Sequence, residues 1–360
     1  MSQTPLVTVL MSVYNDAVFL PEAVQSILGQ TFTDFEFLIV DDGSTDGTRK
    51  YLSSLTDPRV RTVRNHSNVG LTRSLKRGVE LARGKYIARL DADDAALPGR
   101  LAQQVGFMEE RKDVAILGGD CLAVDEAGRF LVERRQPPSD LAIRWTSLLV
   151  NPFVHSTVML RRQVLQDHGL NYDEVFDTTQ DYDLWTRLLR HAKGANLPRA
   201  LIRYRVRPGV TCQKRQRQLE HALSIAARTI QTELPSCPLR PDQVRELFDL
   251  AYHRVRLDPA RPSHLADLIR LHCQFWGEFT LAHDSHPDLP TLRRRHFSQT
   301  LRFLCRAGCP PGWVRALALV LRVEPLAPAW AGLDVLRMAG GRIFFLLLPR
   351  IAGTNARSHS

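Results

Sequence analysis

Val9-Leu-Met-Ser-Val-Tyr-Asn15, Ile39-Val-Asp-Asp-Gly-Ser-Thr-Asp46 and Asp91-Ala-Asp93-Asp94 decide the fold. The first two are apolar runs with β-branched residues that stop abruptly in Asn, Asp, Gly, Ser and Thr, the residues that end strands in turns. Working outward, strand patterns cover Leu6–Tyr14, Glu36–Asp41, Val60–Arg64 and Tyr86–Leu90. Helical stretches lie between them at Pro21–Gly29, Thr48–Ser54 and Leu71–Arg83, with Pro21 placed as at a helix start. This alternation predicts an α/β domain with a mostly parallel sheet and flanking helices. The apolar runs Val114–Leu117 and Val154–Leu160 are expected to extend the sheet. Asp181-Tyr-Asp-Leu-Trp-Thr-Arg-Leu-Leu189 places Leu184, Trp185, Leu188 and Leu189 at helical spacing. Beyond about Pro208 strand signals fade into Arg- and His-rich helical stretches. The expected organisation is a catalytic domain over 1–207, a helical extension over 208–354 and a frayed tail over 355–360.

In an open parallel sheet, ligands bind beyond the carboxyl ends of the strands. Those positions here are unusually acidic: Asp41, Asp42 and Asp46 after the second strand, and Asp91, Asp93 and Asp94 after the fourth. One such cluster alone reads equally as a turn or a helix cap. Three carboxylates within four residues repel one another unless a cation holds them, and Mg2+ or Mn2+ is the natural occupant. Such an ion keeps waters and substrate phosphate oxygens in its other positions, so a nucleotide diphosphate completes the shell.

Together, in this order and spacing, these motifs resemble the inverting glycosyltransferases of family 2, which have the GT-A (Rossmann-like) fold. The resemblance covers about residues 5–207. It implies transfer of a sugar, of the hexosyl type, from a nucleotide-diphosphate donor to an acceptor hydroxyl. It further implies that Ser12, Tyr14, Asn15 and the Asp41-Asp42 pair hold the nucleoside, a carboxylate accepting from the base. Asp91 and Asp93 become the acidic pair at the metal, Asp93 as the direct ligand.

Inverting transfer also needs a base for the acceptor proton, and the resemblance points to Asp181. Its segment is similar to the family's Glu-Asp-x-x-Leu-Trp pattern, with Gln180 in place of the usual Glu. Asp181 read without the family is a helix cap, where the helix dipole weakens a carboxylate as a base. His155, after the Asn151-Pro152 turn, either meets the diphosphate and metal or is a core histidine. Arg73, Arg89 and Arg100 either line the phosphate side or are solvated, and Lys76 and Arg77 read the same way. The Gln-x-x-Arg-Trp signature of the family's processive synthases is missing, so one sugar per encounter is expected, in surface polysaccharide, lipopolysaccharide or glycoconjugate synthesis.

Net charge of +10, rich in Arg, favours anionic partners. Six scattered cysteines show no zinc spacing and read as reduced thiols of a cytosolic chain. The first residues lack an export-signal pattern, and the longest apolar run, Ile343–Leu348, is far below the roughly 20 residues of a membrane-spanning helix. Basic stretches at 213–218 and 332–350 pack on the catalytic domain or lie on an anionic membrane surface. The second case places the chain at the inner face of a membrane and favours a lipid-linked over a free carbohydrate acceptor. A dinucleotide oxidoreductase lacks support because no glycine-rich turn follows the first strand, where Tyr14-Asn-Asp-Ala-Val-Phe stands. A sugar nucleotidyltransferase is expected to carry a basic, glycine-rich loop there. No aromatic stacking platform for nucleic acid is visible, and intact Asp93 and Asp181 argue against an inactive scaffold.

Overall fold

The computed structural model describes residues 4–207, 212–251 and 264–296. By internal contact the chain divides into two units, Met1–Glu233 and Leu234–Ser360. Among the described residues of the first, one sheet holds β1 (Val7–Val13), β2 (Phe35–Asp41), β3 (Val60–Arg64), β4 (Tyr86–Arg89), β5 (Ala95–Ala96), β6 (Val114–Val124), β7 (Phe130–Arg134), β8 (Met159–Arg161) and β9 (Lys193–Arg205). Its order is β3-β2-β1-β4-β8-β6-β9-β5, with β7 beside β6. The helices are α1 (Leu20–Leu28), α2 (Thr48–Ser53), α3 (Leu71–Leu81), α4 (Arg100–Glu110), α5 (Asp140–Ser147), α6 (Arg162–Asp167), α7 (Gln180–Leu188) and α8 (Cys212–Glu233).

Strands β1 to β4 pair in parallel, and the far half is mixed, with β8 antiparallel to both β4 and β6 and β9 parallel to β6. Strand period sends Val7, Val9, Met11 and Val13 of β1 into one core with Leu20, Val24 and Ile27 of α1. Leu10 faces the other way, into a second core with Leu38, Val40, Leu75 and Trp185. A sheet buried on both faces leaves its strand ends as the place for polar chemistry. The chain leaves β1 for β2 and β3 on one side and returns to β4 on the other. The reversal makes the carboxyl ends of β1 and β4 a topological switch point.

The expected strand Val154–Leu160 is corrected. His155–Thr157 form a 3-10 turn, and only Met159–Arg161 pair in the sheet. Ser156 and Thr157 instead use their hydroxyls, Ser156 on Asp91 and Thr157 on the Val154 carbonyl. Although composition changes near residue 208, α8 groups with the sheet by contact. The fully buried Asp183 of α7 accepts from Arg187 Nη2 at 2.6 Å and Arg228 Nη2 of α8 at 2.5 Å. The described part of the second unit is helical, with α9 (Pro241–Ala251) and α10 (His264–Ala282). The basic stretch 332–350 and the tail 355–360 lie outside the described residues. No described helix is long and apolar enough to cross a membrane.

Candidate active site

At the ends of β1 and β2 the backbone is cross-laced. Asn15 sits at φ 50°, one of two non-glycine residues with positive φ among those described. That conformation aims its side-chain oxygen at Thr45 N, 2.8 Å away, while its own N–H donates to Ser44 Oγ at 3.1 Å. Gly43, at φ +73°, lies against the Ser67–Asn68 backbone, where a Cβ would come within 2.5 Å of Ser67. Asp41 accepts from Ser44 N at 2.9 Å and faces Arg64 Nη1 at 3.5 Å. Asp42 accepts from Asn65 Nδ2 at 2.8 Å, Val69 N at 3.0 Å and Gly70 N at 2.9 Å. Both carboxylates are buried, as is Ser12, whereas the Tyr14 ring is 45% exposed.

Around the end of β4, carboxylates alternate with guanidiniums. The buried Arg89 pairs with Asp91, whose other oxygen accepts from Ser156 Oγ at 2.8 Å. Burial raises the Asp91 pKa, but Arg89 and then His155 and Ser156 outweigh it, so the carboxyl is held below its ordinary value. Burial, then the Asp91 charge, pushes Asp93 up against the pull of Arg207. Asp94 is buried and accepts from Arg205 N at 2.8 Å. Burial with Asp91 and Asp93 beside it drives Asp94 well above the usual carboxylate range. Arg205 also reaches the Asp93 carbonyl at 3.0 Å.

These residues suit a hard divalent cation. Asp93 is a partly open carboxylate, its side chain 25% exposed, in a cluster whose mutual repulsion a cation relieves. Asp91, with both oxygens engaged, backs it. Among the described residues no preformed group of three or more His, Cys, Asp or Glu ligands exists. One or two carboxylates are what Mg2+ or Mn2+ ordinarily takes from protein when phosphates supply the rest.

Asp181 stands in the first turn of α7, after Thr179 at φ 58°, the second strained residue. Asn151 Nδ2 donates to its Oδ2 at 2.7 Å. His155 bonds Tyr172 Oη through Nε2 at 2.9 Å and meets the Tyr172 and Trp185 rings edge-on. Burial, then Arg89, lowers its pKa to about 4, with Asp91 and Asp181 both pulling the other way. His155 is thus neutral and lies within electrostatic reach of both acidic motifs. Gln180 is buried at the head of α7.

Arg73 and Lys76 pair with Glu174, and Arg77 bonds Asn65, so the structure directs these three elsewhere. Arg100 lies buried, Nη2 donating to the Arg89 carbonyl at 2.7 Å. Sequence reasoning missed Asp16, Asn151, Ser156, Arg205 and Arg207. The every-second-residue spacing of Arg203, Arg205 and Arg207 was the visible signal for two of them.

Parallel strands around a switch point, continued by a mixed half-sheet and flanked by helices, are the architecture of the GT-A fold class. The model of glycosyl transferase family 2 matches residues 8–169. The putative glycosyltransferase EpsE of Bacillus subtilis is 34% identical over 227 residues, 60% of this chain and 78% of the relative. The uncharacterized glycosyltransferase MJ1057 of Methanocaldococcus jannaschii is 35% identical over 208 residues, 56% of this chain and 71% of its own length. In fold, TarS 1-349 of S. aureus, solved with UDP-GlcNAc, superposes with a TM-score of 0.55 at 18% identity, covering 90% of this chain and 91% of that one. The Pyrobaculum calidifontis mannosyltransferase PcManGT, solved with GDP-Man and Mn2+, gives 0.50 at 17% identity over 89% and 88%. The chain belongs to glycosyltransferase family 2 and is a glycosyltransferase.

Proposed function

We propose that the protein transfers one hexosyl unit per encounter from a nucleoside-diphosphate sugar to an acceptor hydroxyl, inverting the anomeric centre, with Mn2+ or Mg2+. The carrying observation is the Asp91-Asp93-Asp94 cluster at the switch point, with His155 within electrostatic reach of both Asp91 and Asp181. Asp181 takes the acceptor proton as the acceptor oxygen attacks opposite the leaving diphosphate. Asn151 engages one Asp181 oxygen and leaves the other for that hydroxyl. The exposed Tyr14 ring offers a stacking face for the base, beside the loop that Ser12 and Asn15 shape. Of the pair, Asp41 accepts from the base, since it has one close donor, Ser44 N, and the more distant Arg64, against three donors on Asp42. Asp93, backed by Asp91, holds the cation, which neutralises diphosphate charge when bound. His155 acts through position, as a neutral ring packed on Tyr172 and Trp185 within electrostatic reach of Asp91 and Asp181.

GDP-Man with Mn2+ and UDP-GlcNAc in the two solved relatives support the donor class. The acceptor is a carbohydrate or lipid-linked glycan, and nucleic acid is not a partner. The chain works in the cytoplasm, and the net charge of +10 supports peripheral contact with an anionic membrane face. The catalytic domain of 1–207 is completed by α8. Proton NMR of the product made from an α-linked donor tests the reading: a β linkage is expected, and a retained α linkage overturns inversion.

A further inference from the structure

Strand period puts Arg203 and Arg205 on one face at the end of β9, with Arg207 two residues beyond it, each with an acidic partner. Arg203 and Arg205 share Glu22, at 2.7 Å and 2.6 Å. Arg207 reaches further, into the cluster at the end of β4. Its Nη1 lies 3.2 Å from Asp16 Oδ1, 3.2 Å from Asp16 Oδ2 and 3.3 Å from Asp93 Oδ2. Three carboxylate oxygens from two residues thus converge on one nitrogen, the arrangement a small cation adopts among hard ligands. Phe19 steadies the guanidinium, its ring centroid 5.0 Å from Arg207 Cζ and 4.6 Å from Arg205 Cζ. Burial first, then a neighbouring carboxylate, raises each pKa, Asp93 acting on Asp16 and Asp91 on Asp93, with Arg207 the counterweight at both.

We propose that Arg207 is the resident counter-ion of Asp16 and Asp93 and exchanges places with the divalent cation, so that Arg207 sets the metal affinity of the site. The inference rests on the metal-dependent reading above and adds Asp16 and Arg207 to it. Two positive charges cannot share these oxygens closely, since like charges at such range repel strongly. With Arg207 in place the carboxylates are neutralised and the strand ends stay together without metal. When the cation takes them, the freed guanidinium is left beside the donor's diphosphate, for which its planar fork is suited. The position also explains why this Arg is 42% exposed and not locked like Arg205, whose side chain is 4% exposed.

The test is a Mn2+ titration of the full chain without nucleotide, read by the paramagnetic resonance of free Mn2+. Arg207→Ala and Arg207→Gln are each expected to bind Mn2+ about tenfold more tightly than the parent, the size expected from two partly exposed ion pairs removed as competitors. Arg207→Lys is expected to stay near the parent. Equal or weaker binding by both neutral variants overturns the exchange. Asp93→Ala, run alongside, separates the two failures. If it binds no Mn2+ while the Arg207 variants match the parent, the metal site stands and the exchange falls. If it binds Mn2+ as the parent does, the metal reading and the exchange fall together.

Discussion

The ends of β2 and β4 carry similar acidic sequences and do opposite things with them. Asp42 is filled by one side-chain and two backbone donors and so ties the 65–70 loop to β2. Asp91 and Asp93 instead pair with guanidiniums, Arg89 of β4 and Arg207 just past β9, and Asp94 lies buried beside them. A carboxylate filled by three protein donors is spent on architecture, whereas one balanced by a partly exposed guanidinium is open to exchange. The difference separates structural from reactive acid within one motif family.

Four substitutions or conditions sharpen that contrast, from the largest effect down. Asp181→Asn is expected to lower kcat by roughly a thousandfold, within the range for losing a general base, with nucleotide-sugar affinity unchanged in a binding titration. Retained turnover would remove Asp181 from the chemistry. Asp42→Ala is expected to cost about 3 kcal/mol in urea unfolding, since Asn65 Nδ2 and the Val69 and Gly70 N–H groups lose their acceptor. An unaltered midpoint would show that Asp42 is free for ligand after all.

The third concerns pH. The His155 pKa is lowered to about 4 by burial and then Arg89. The unfolded chain takes up this proton near pH 6.5 and the folded chain does not. Stability from this residue is therefore intact above pH 6.5 and falls as pH drops towards 4, by about 3 kcal/mol. His155→Asn should flatten that part of the urea midpoint against pH, and an unchanged slope would assign the fall to other groups. Smallest is Thr179→Gly, which removes the side chain at φ 58°. A change within about 1 kcal/mol of the parent is expected by thermal melting, because relief of strain and loss of chain stiffness oppose one another. A loss well beyond that would mean the threonine side chain, not its backbone, holds α7.

Much of this was legible from local pattern. β3 falls at Val60–Arg64 as read, and α1 is displaced by one residue from the expected Pro21–Gly29. Both have strong periodicity and clear ends. β6 runs on to Val124, past the expected Leu117, because Gly118 and Gly119 carry no side-chain signal yet let Asn196, Phe153 and Leu201 approach closely. β7 was missed because Phe130-Leu-Val-Glu-Arg134 is exposed on both faces and shows no alternation. In the site, acidic residues next to strand ends announced themselves, but their partners did not. Arg207 meets Asp16 across a separation of 191 residues, and only the sheet's crossovers bring β9 to β1 and β4. His155 was left between two readings by sequence. The Tyr172 hydroxyl and the aromatic walls around it place it in the packed wall of the site.

The most direct measurement of the central claim is a calorimetric titration of the parent and Asp93→Ala with UDP-, GDP- and dTDP-linked sugars, each in Mn2+ and again in chelator. The account predicts that the parent binds one donor in Mn2+ and loses most of that affinity in chelator, while Asp93→Ala binds weakly and equally in both. Metal-independent binding of equal strength in parent and variant would contradict it.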